Sequence, residues 1–185
     1  MGQDKGSMII NKKPMIKHIL ESLNDEINEA IIVLNNQKRI EKYSSFIDTS
    51  DYTYKIKFCE DKIKNKGPIS GILTGLTYTN NDYALIIPCD SPYISNKYIK
   101  TIFNEIDTKY QAIVPYHDSQ NKLKTSEPLH SIYNKNIIPE IEKLITENIL
   151  HIKGLIEKID TKFVLIDNKK IEKKEFRNLN SPKDI

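Results

Sequence analysis

Tryptophan is absent from this chain of 185 residues, which also has only two cysteines, six glycines and four histidines. Cys59 and Cys89 have no CxxC spacing and no secretory context, which excludes a disulfide scaffold and leaves a pair of reduced, partly buried thiols. The histidines, His18, His117, His130 and His151, are scattered without metal-ligand spacing, so no zinc site is expected. Long apolar runs are missing too. None approaches the ~20 residues that cross a bilayer, and the opening "MGQDKGSMIINKK" has no hydrophobic signal region, so a cytoplasmic protein is expected. Nor does one sign of charge dominate. Lys+Arg 28 against Asp+Glu 25 gives a net charge of +3, with lysines spread along the chain, so a nucleic-acid partner is not indicated.

What is present is an ordinary globular composition, 38% hydrophobic and 29% charged. A chain of this size can bury a substantial core, and no repeat, linker or composition shift divides it, so residues 1–185 read as one domain. Apolar residues at helical spacing in "KPMIKHILESLND", "GPISGILTGLTYT", "SNKYIKTIFNEI", "NIIPEIEKLITEN" and "ILHIKGLIEKI" predict helices, with Pro68 in a first turn and Ser95 as an N-cap. "QKRIEKYSSF" has weaker helical character. Short branched runs predict strands at "AIIVL", "YKIKFC", "YALIIPCD", "QAIVPY", "EPLHSIY" and "KFVLID". Alternation of the two predicts an α/β sandwich with a mostly parallel sheet and helices on both faces, the late strands being candidates for an antiparallel edge.

In such sheets ligands collect beyond the carboxyl ends of the strands. Asp90 stands at such an end, where an apolar run from Tyr83 to Ile87 meets a carboxylate between two prolines. A carboxylate fixed there suits Mg²⁺, which keeps water or substrate phosphate oxygens in its other positions; the alternative is that Asp-Ser-Pro merely starts a turn. Asp61, after "YKIKFC", has the same topological address, as though at a neighbouring strand end, although its loop is also polar enough to be simply solvated. The amides after Gly67 offer a weak anion site, and Gly71 and Gly75 share a helical face that would let the helix approach the sheet. Asp4 and Lys5, taken alone, belong to a frayed terminus.

Read in order, "MGQDK", "GPISGILTGL", "IIPCDSPYI", "EPLHSIYNK" and "FRNLNSPKDI" resemble the molybdenum cofactor guanylyltransferases. The resemblance implies a Rossmann-like nucleotide-diphosphosugar transferase (GT-A-like) fold and the transfer of GMP from GTP to molybdopterin, with release of pyrophosphate. It implies Asp90 as the Mg²⁺ ligand, Lys5 as the lysine on the nucleotide phosphates and Asp61 as a GTP contact. Asn178 and Asn180 match a segment that closes on the acceptor side, and Asn35 and Asn36 a loop near the base. The implied partners are GTP and molybdopterin, with molybdoenzymes or their chaperones receiving the product. Transfer of another nucleotide such as CMP by the same fold, and a catalytically impaired cofactor-binding paralogue, are the alternative readings.

One departure shapes the structural expectation. In that family a first apolar strand and a glycine-rich loop precede the Met-Gly-x-Asp-Lys motif, on which this sequence opens. Two explanations compete: Met1 is an internal methionine preceded by about 20 residues, one strand plus one loop, or the chain is a shortened paralogue with weak or no GTP binding; the first is favoured because Asp4 and Lys5 make little sense without the loop they follow. Without that strand the edges of its neighbours would be exposed.

Overall fold

The structure, a computed structural model, describes residues 4–118, 120–166 and 171–179. The chain opens with a small antiparallel hairpin, β1 (Ile9–Ile10) and β2 (Lys13–Pro14), turned by Asn11 and Lys12, both with positive φ. Then follow α1 (Met15–Ser22), β3 (Glu29–Leu34), α2 (Gln37–Phe46), β4 (Lys55–Glu60), α3 (Pro68–Tyr78), β5 (Tyr83–Leu85) and α4 (Asn96–Phe103). The remainder supplies β6 (Ala112–Tyr116), β7 (Ile132–Asn134), α5 (Ile138–Thr146), α6 (Ile152–Ile156) and β8 (Thr161–Leu165). Ser95 caps α4 as expected, its hydroxyl accepting from Tyr98 N at 3.1 Å, and Pro68 stands in the first turn of α3.

The sheet is mixed, which corrects the mostly parallel expectation. β3 pairs with β4 in parallel, and β6 with β8 in parallel, but β7 is antiparallel to both β5 and β6 in the order β5-β7-β6-β8. A parallel partner requires a crossover, usually a helix. No α-helix lies in the β6–β7 connection among the described residues, and the chain simply doubles back. β5 is also shorter than the apolar run that contains it. Among the described residues only one of its edges is paired, and beyond Leu85 one backbone bond, Ile86 N to Ser131 O at 2.9 Å, continues the contact with the β7 side.

Two apolar layers cover the sheet. On one face α1, α2 and α4 pack Ile16, Leu20, Tyr43, Tyr98 and Ile102 against Ile32, Leu34 and Ile113. On the other, α3, α5 and α6 pack Leu73, Leu76, Ile141 and Leu155 against Ala112, Val114 and Tyr133. Each such side chain contributes roughly 1.5–3 kcal/mol on burial. Buried tyrosine hydroxyls are satisfied, Tyr98 donating to His130 O and Tyr133 to Pro128 O.

Between β3 and β5 there is no backbone ladder among the described residues; a cleft of about 770 Å³ separates them. Gly71 of α3 opens onto it: a Cβ there would meet nothing within 4 Å, whereas one at Gly75 would touch only Val33 at 3.9 Å. The close helix–sheet approach expected of this glycine pair therefore holds at Gly75 alone.

The two halves are tied at the starts of β3 and β5 by Glu29. Its carboxylate accepts from Lys57 Nζ at 2.8 Å, Thr79 Oγ1 at 2.7 Å, Asn80 N at 2.8 Å and Asn81 Nδ2 at 2.7 Å. Burial alone would raise its pKa, but the bonds from Lys57, Thr79 and Asn80 outweigh burial and hold it at about 2. Because the folded value lies below the ordinary 4.5, this group's stabilisation is complete above about pH 4.5 and is lost as pH falls toward 2. Glu29→Gln should lower stability at pH 7 by on the order of 1–2 kcal/mol and flatten the fall in stability over that acid window, as read from denaturant melts at several pH values. An unchanged acid limb in the variant would remove Glu29 as the clamp.

Candidate active site

The first described residues are anchored, not frayed. Asp4 Oδ1 accepts from Tyr43 OH at 2.7 Å, and its Oδ2 from Lys42 Nζ and Ser7 Oγ, both at 3.1 Å. Burial pushes the Asp4 carboxyl up, but these three donors hold it below its ordinary value. Burial, together with Asp4, pushes the Tyr43 phenol far up. Gly6 is needed for this approach: a Cβ there would collide with the Tyr43 hydroxyl and lie 3.3 Å from Cys89 Cβ.

This anchoring carries Lys5 to Asp90, Nζ to Oδ2 at 2.8 Å, with the Asp90 side chain only 13% exposed. Around Asp90 the last described segment closes like a strap. Leu179 N donates to Asp90 O at 2.8 Å, and the hydroxyl of the fully buried Ser91 donates to Asn178 Oδ1 at 2.7 Å. The strap is pinned further back. Phe176 lies edge-on to Tyr98, His117 and His130, with centroids 5.0, 4.7 and 5.2 Å away, while Glu175 Oε2 accepts from Ser95 N at 2.9 Å. Glu127 faces both histidines, at 3.4 Å from His117 Nε2 and 3.7 Å from His130 Nδ1. Burial would raise its pKa, yet the two imidazoles outweigh burial and hold it at about 2.

Lys5, Asp90 and Asn178 are thus brought together, with Asp90 and Asn178 lining the cleft between β3 and β5. Asp61 is not at a neighbouring strand end, since β4 is separated from β5 by β3 and the cleft. Its carboxylate is engaged by α3, accepting from Ser70 Oγ at 2.8 Å, Thr74 Oγ1 at 2.9 Å and Ile63 N at 3.3 Å. Asn36 caps α2, accepting from Arg39 N at 3.0 Å, and Asn35 is exposed beside it. Asn180 lies outside the described residues. Cys89 is a free, exposed thiol past the end of β5, not packed inside a strand. Sequence reasoning missed Tyr43, Ser91 and Phe176. Ser91 had a signal in its place next to Asp90, whereas Tyr43 sits in a weakly patterned helix and Phe176 in a polar tail.

Among solved structures the fold resembles molybdopterin-guanine dinucleotide biosynthesis protein A from Archaeoglobus fulgidus, with a TM-score of 0.76, 24% identity, and coverage of 99% of this chain and 87% of that one. It also resembles 4-diphosphocytidyl-2C-methyl-D-erythritol synthase from Anaerococcus prevotii, with a TM-score of 0.72, 13% identity, and coverage of 99% and 90%. The fold is that of an α/β nucleotidyltransferase. The model of the MobA-like NTP transferase domain matches residues 1–161, and the chain belongs to that family. Curated relatives include a probable molybdenum cofactor guanylyltransferase of Methanothermobacter thermautotrophicus, 28% identical over all of this chain and 90% of its own length. Another is the molybdenum cofactor guanylyltransferase of Aliivibrio fischeri, 29% identical over all of this chain and 86% of its own. Among the described residues no helix is long and apolar enough to cross a membrane.

Gly6→Ala should cost about 1–3 kcal/mol of stability, the usual range for overpacking. Adding Tyr43→Phe, which removes the hydroxyl the new methyl strikes, should recover part of that loss in thermal melts. A double variant less stable than Gly6→Ala alone would contradict the contact.

Proposed function

We propose that the protein transfers GMP from GTP to molybdopterin, forming the guanine dinucleotide and pyrophosphate. The observation that carries this reading is the Lys5–Asp90 pair at the carboxyl end of β5, beside the Asn178 strap. Family membership and the full-length likeness to guanylyltransferases support it. In the reaction an oxygen of the acceptor's phosphate monoester bonds to the α-phosphorus of GTP, and the bond from that phosphorus to the oxygen bridging to the β-phosphate breaks. Two anions must approach, so the site has to supply positive charge and alignment more than a covalent nucleophile.

Lys5 supplies a cation to phosphate oxygens at the place where charge develops. Its bond to Asp90 fixes the ammonium's direction before substrate enters. The donor set also fits Mg²⁺. Asp90 Oδ1 has no hydrogen-bond donor among the described residues, and no cluster of three or more His, Cys, Asp or Glu side chains that could hold a metal occurs among them. One or two carboxylates plus substrate oxygens is how Mg²⁺ is commonly held, and when bound it would offset the charge of the triphosphate. Asn178, oriented by Ser91, lines the side of the cleft where the acceptor would lie, and Asn180 is assigned to the same side from the sequence alone. Asp61, expected as a GTP contact, holds the start of α3 through Ser70 and Thr74, and its role toward GTP is assigned as an indirect one through that helix.

Pyrophosphate release from GTP, Mg²⁺ and molybdopterin tests the reading, with CTP as competitor for the base. GTP should be preferred, and Asp90→Asn and Lys5→Met should each lower kcat by about 10²–10³. Turnover in Asp90→Asn equal to the parent would remove Asp90 from the site, and equal use of CTP would reassign the nucleotide.

A further inference from the structure

The proposed transfer makes no use of Glu127, His117 and His130, yet these groups converge on one residue of the strap. His117 directly follows β6, and His130 stands two residues before β7. Both imidazoles face the Glu127 carboxylate, and both stand nearly perpendicular to the Phe176 ring, at 78° and 77°. Tyr98 of α4 supplies a third ring, at 86°, and its hydroxyl donates to His130 O. Edge-to-face contacts of this kind depend on how the rings are turned. For the imidazoles that orientation has a visible source in Glu127. His130 is only 2% exposed, neither of its ring nitrogens has a hydrogen bond among the described residues, and His117 Nδ1 has none either. Glu127 is the charged group that both rings share, and its own backbone is fixed: its N donates to Pro115 O at 2.9 Å, and its carbonyl accepts from Ser131 Oγ at 2.7 Å. A buried polar cluster is a weak source of stability beside apolar side chains of the same volume. What it supplies is placement.

Placement matters two residues further on. Phe176 and Leu179 are buried and bracket the exposed Asn178, which accepts from Ser91 and lines the cleft. Lys5 and the Asp90 side chain are held from elsewhere, through Asp4 by Tyr43 and Lys42 of α2. Loosening Phe176 therefore displaces Asn178 and leaves the Lys5–Asp90 pair in place.

We infer that Glu127 is a positioning residue for the acceptor: it orients His117 and His130, these rings and Tyr98 seat Phe176, and Phe176 sets the place of Asn178 in the cleft. The inference rests on the proposed reaction, in which Asn178 serves molybdopterin and Lys5 serves GTP. Glu127 acts on the acceptor through Phe176, so its loss should be felt at one substrate and not at the other.

The test measures KM for molybdopterin, KM for GTP and kcat in the full chain. Alongside these, hydrogen exchange at the Leu179 amide, which bonds to Asp90 O, reports the strap without any substrate. Glu127→Gln keeps the side chain's shape but leaves one carbonyl oxygen as acceptor for two rings, and Phe176→Leu keeps an apolar side chain without the ring. Each should raise KM for molybdopterin by about 10-fold or more while KM for GTP and kcat stay within about threefold. Each should also speed Leu179 exchange by about 10-fold. The double variant should be no worse than the more severe single one, because both changes act along one path. Equal rises in both KM values, additive effects in the double variant, or Leu179 exchange unchanged in Glu127→Gln would overturn the inference. Should the parent chain not turn over molybdopterin, the proposed reaction fails, and the link from Glu127 to the strap is decided by Leu179 exchange alone: faster in Glu127→Gln and no faster in the double variant supports it, and any other result overturns it. If Glu127→Gln does not fold, His117→Asn takes its place in the same comparisons, since it removes one of the two rings between Glu127 and Phe176.

Discussion

Two half-sheets that share no hydrogen-bonded ladder among the described residues must be held in register by side chains, and Glu29 is where that constraint is met. It collects donors from Lys57 on β4 and from the Thr79–Asn81 turn ahead of β5, so one carboxylate spans both halves. At the opposite end of the strands the link is made by Lys5 and Asp90. A mostly desolvated, multiply bonded carboxylate tolerates little displacement, since each lost donor leaves charge uncompensated. The relative placement of β3 and β5, and hence the shape of the cleft between them, follows from this pair of ties.

The site inherits its rigidity from the same arrangement. Asp90 is fixed through its side chain by Lys5 and through its carbonyl by Leu179, while Ser91 next to it fixes Asn178. Phe176, wedged among Tyr98, His117 and His130, supplies the packing that keeps the strap in place. For the proposed transfer between two phosphates this matters more than reactive groups would, because electrostatic stabilisation depends on donors that need not reorganise.

Much of the fold was legible because its elements are carried by period. The helical stripes of α1, α3, α4 and α5 and the branched runs of β3, β4 and β6 fall where the pattern places them. The direction of β7 was not legible, because strand pattern does not encode orientation and only the helix-free connection from β6 determines it. The β1–β2 hairpin escaped for a different reason: its turn uses Asn11 and Lys12 at positive φ, with no glycine to announce it. Of the site, Asp90 could be read from the abrupt end of its apolar run. Lys5 could be read only through the family resemblance, since its position depends on Asp4 meeting Tyr43 and Lys42, partners far along the chain.

Asp61 shows how the same address can yield a different task. Like Asp90 it follows a strand, but its oxygens meet the hydroxyls of Ser70 and Thr74 one helical turn apart on α3. Those bonds use both carboxylate oxygens and draw the first turns of α3 toward the end of β4. A carboxylate so occupied is poorly placed to take a cation as well, whereas Asp90 keeps one oxygen without a donor among the described residues. The distinction lies in the next element: α3 presents hydroxyls four residues apart to Asp61, while the Asp90 loop turns its serine away to Asn178. In this chain the hydroxyls of Ser70 and Thr74 in the following helix engage Asp61, whereas the segment after Asp90 offers that carboxylate no such pair.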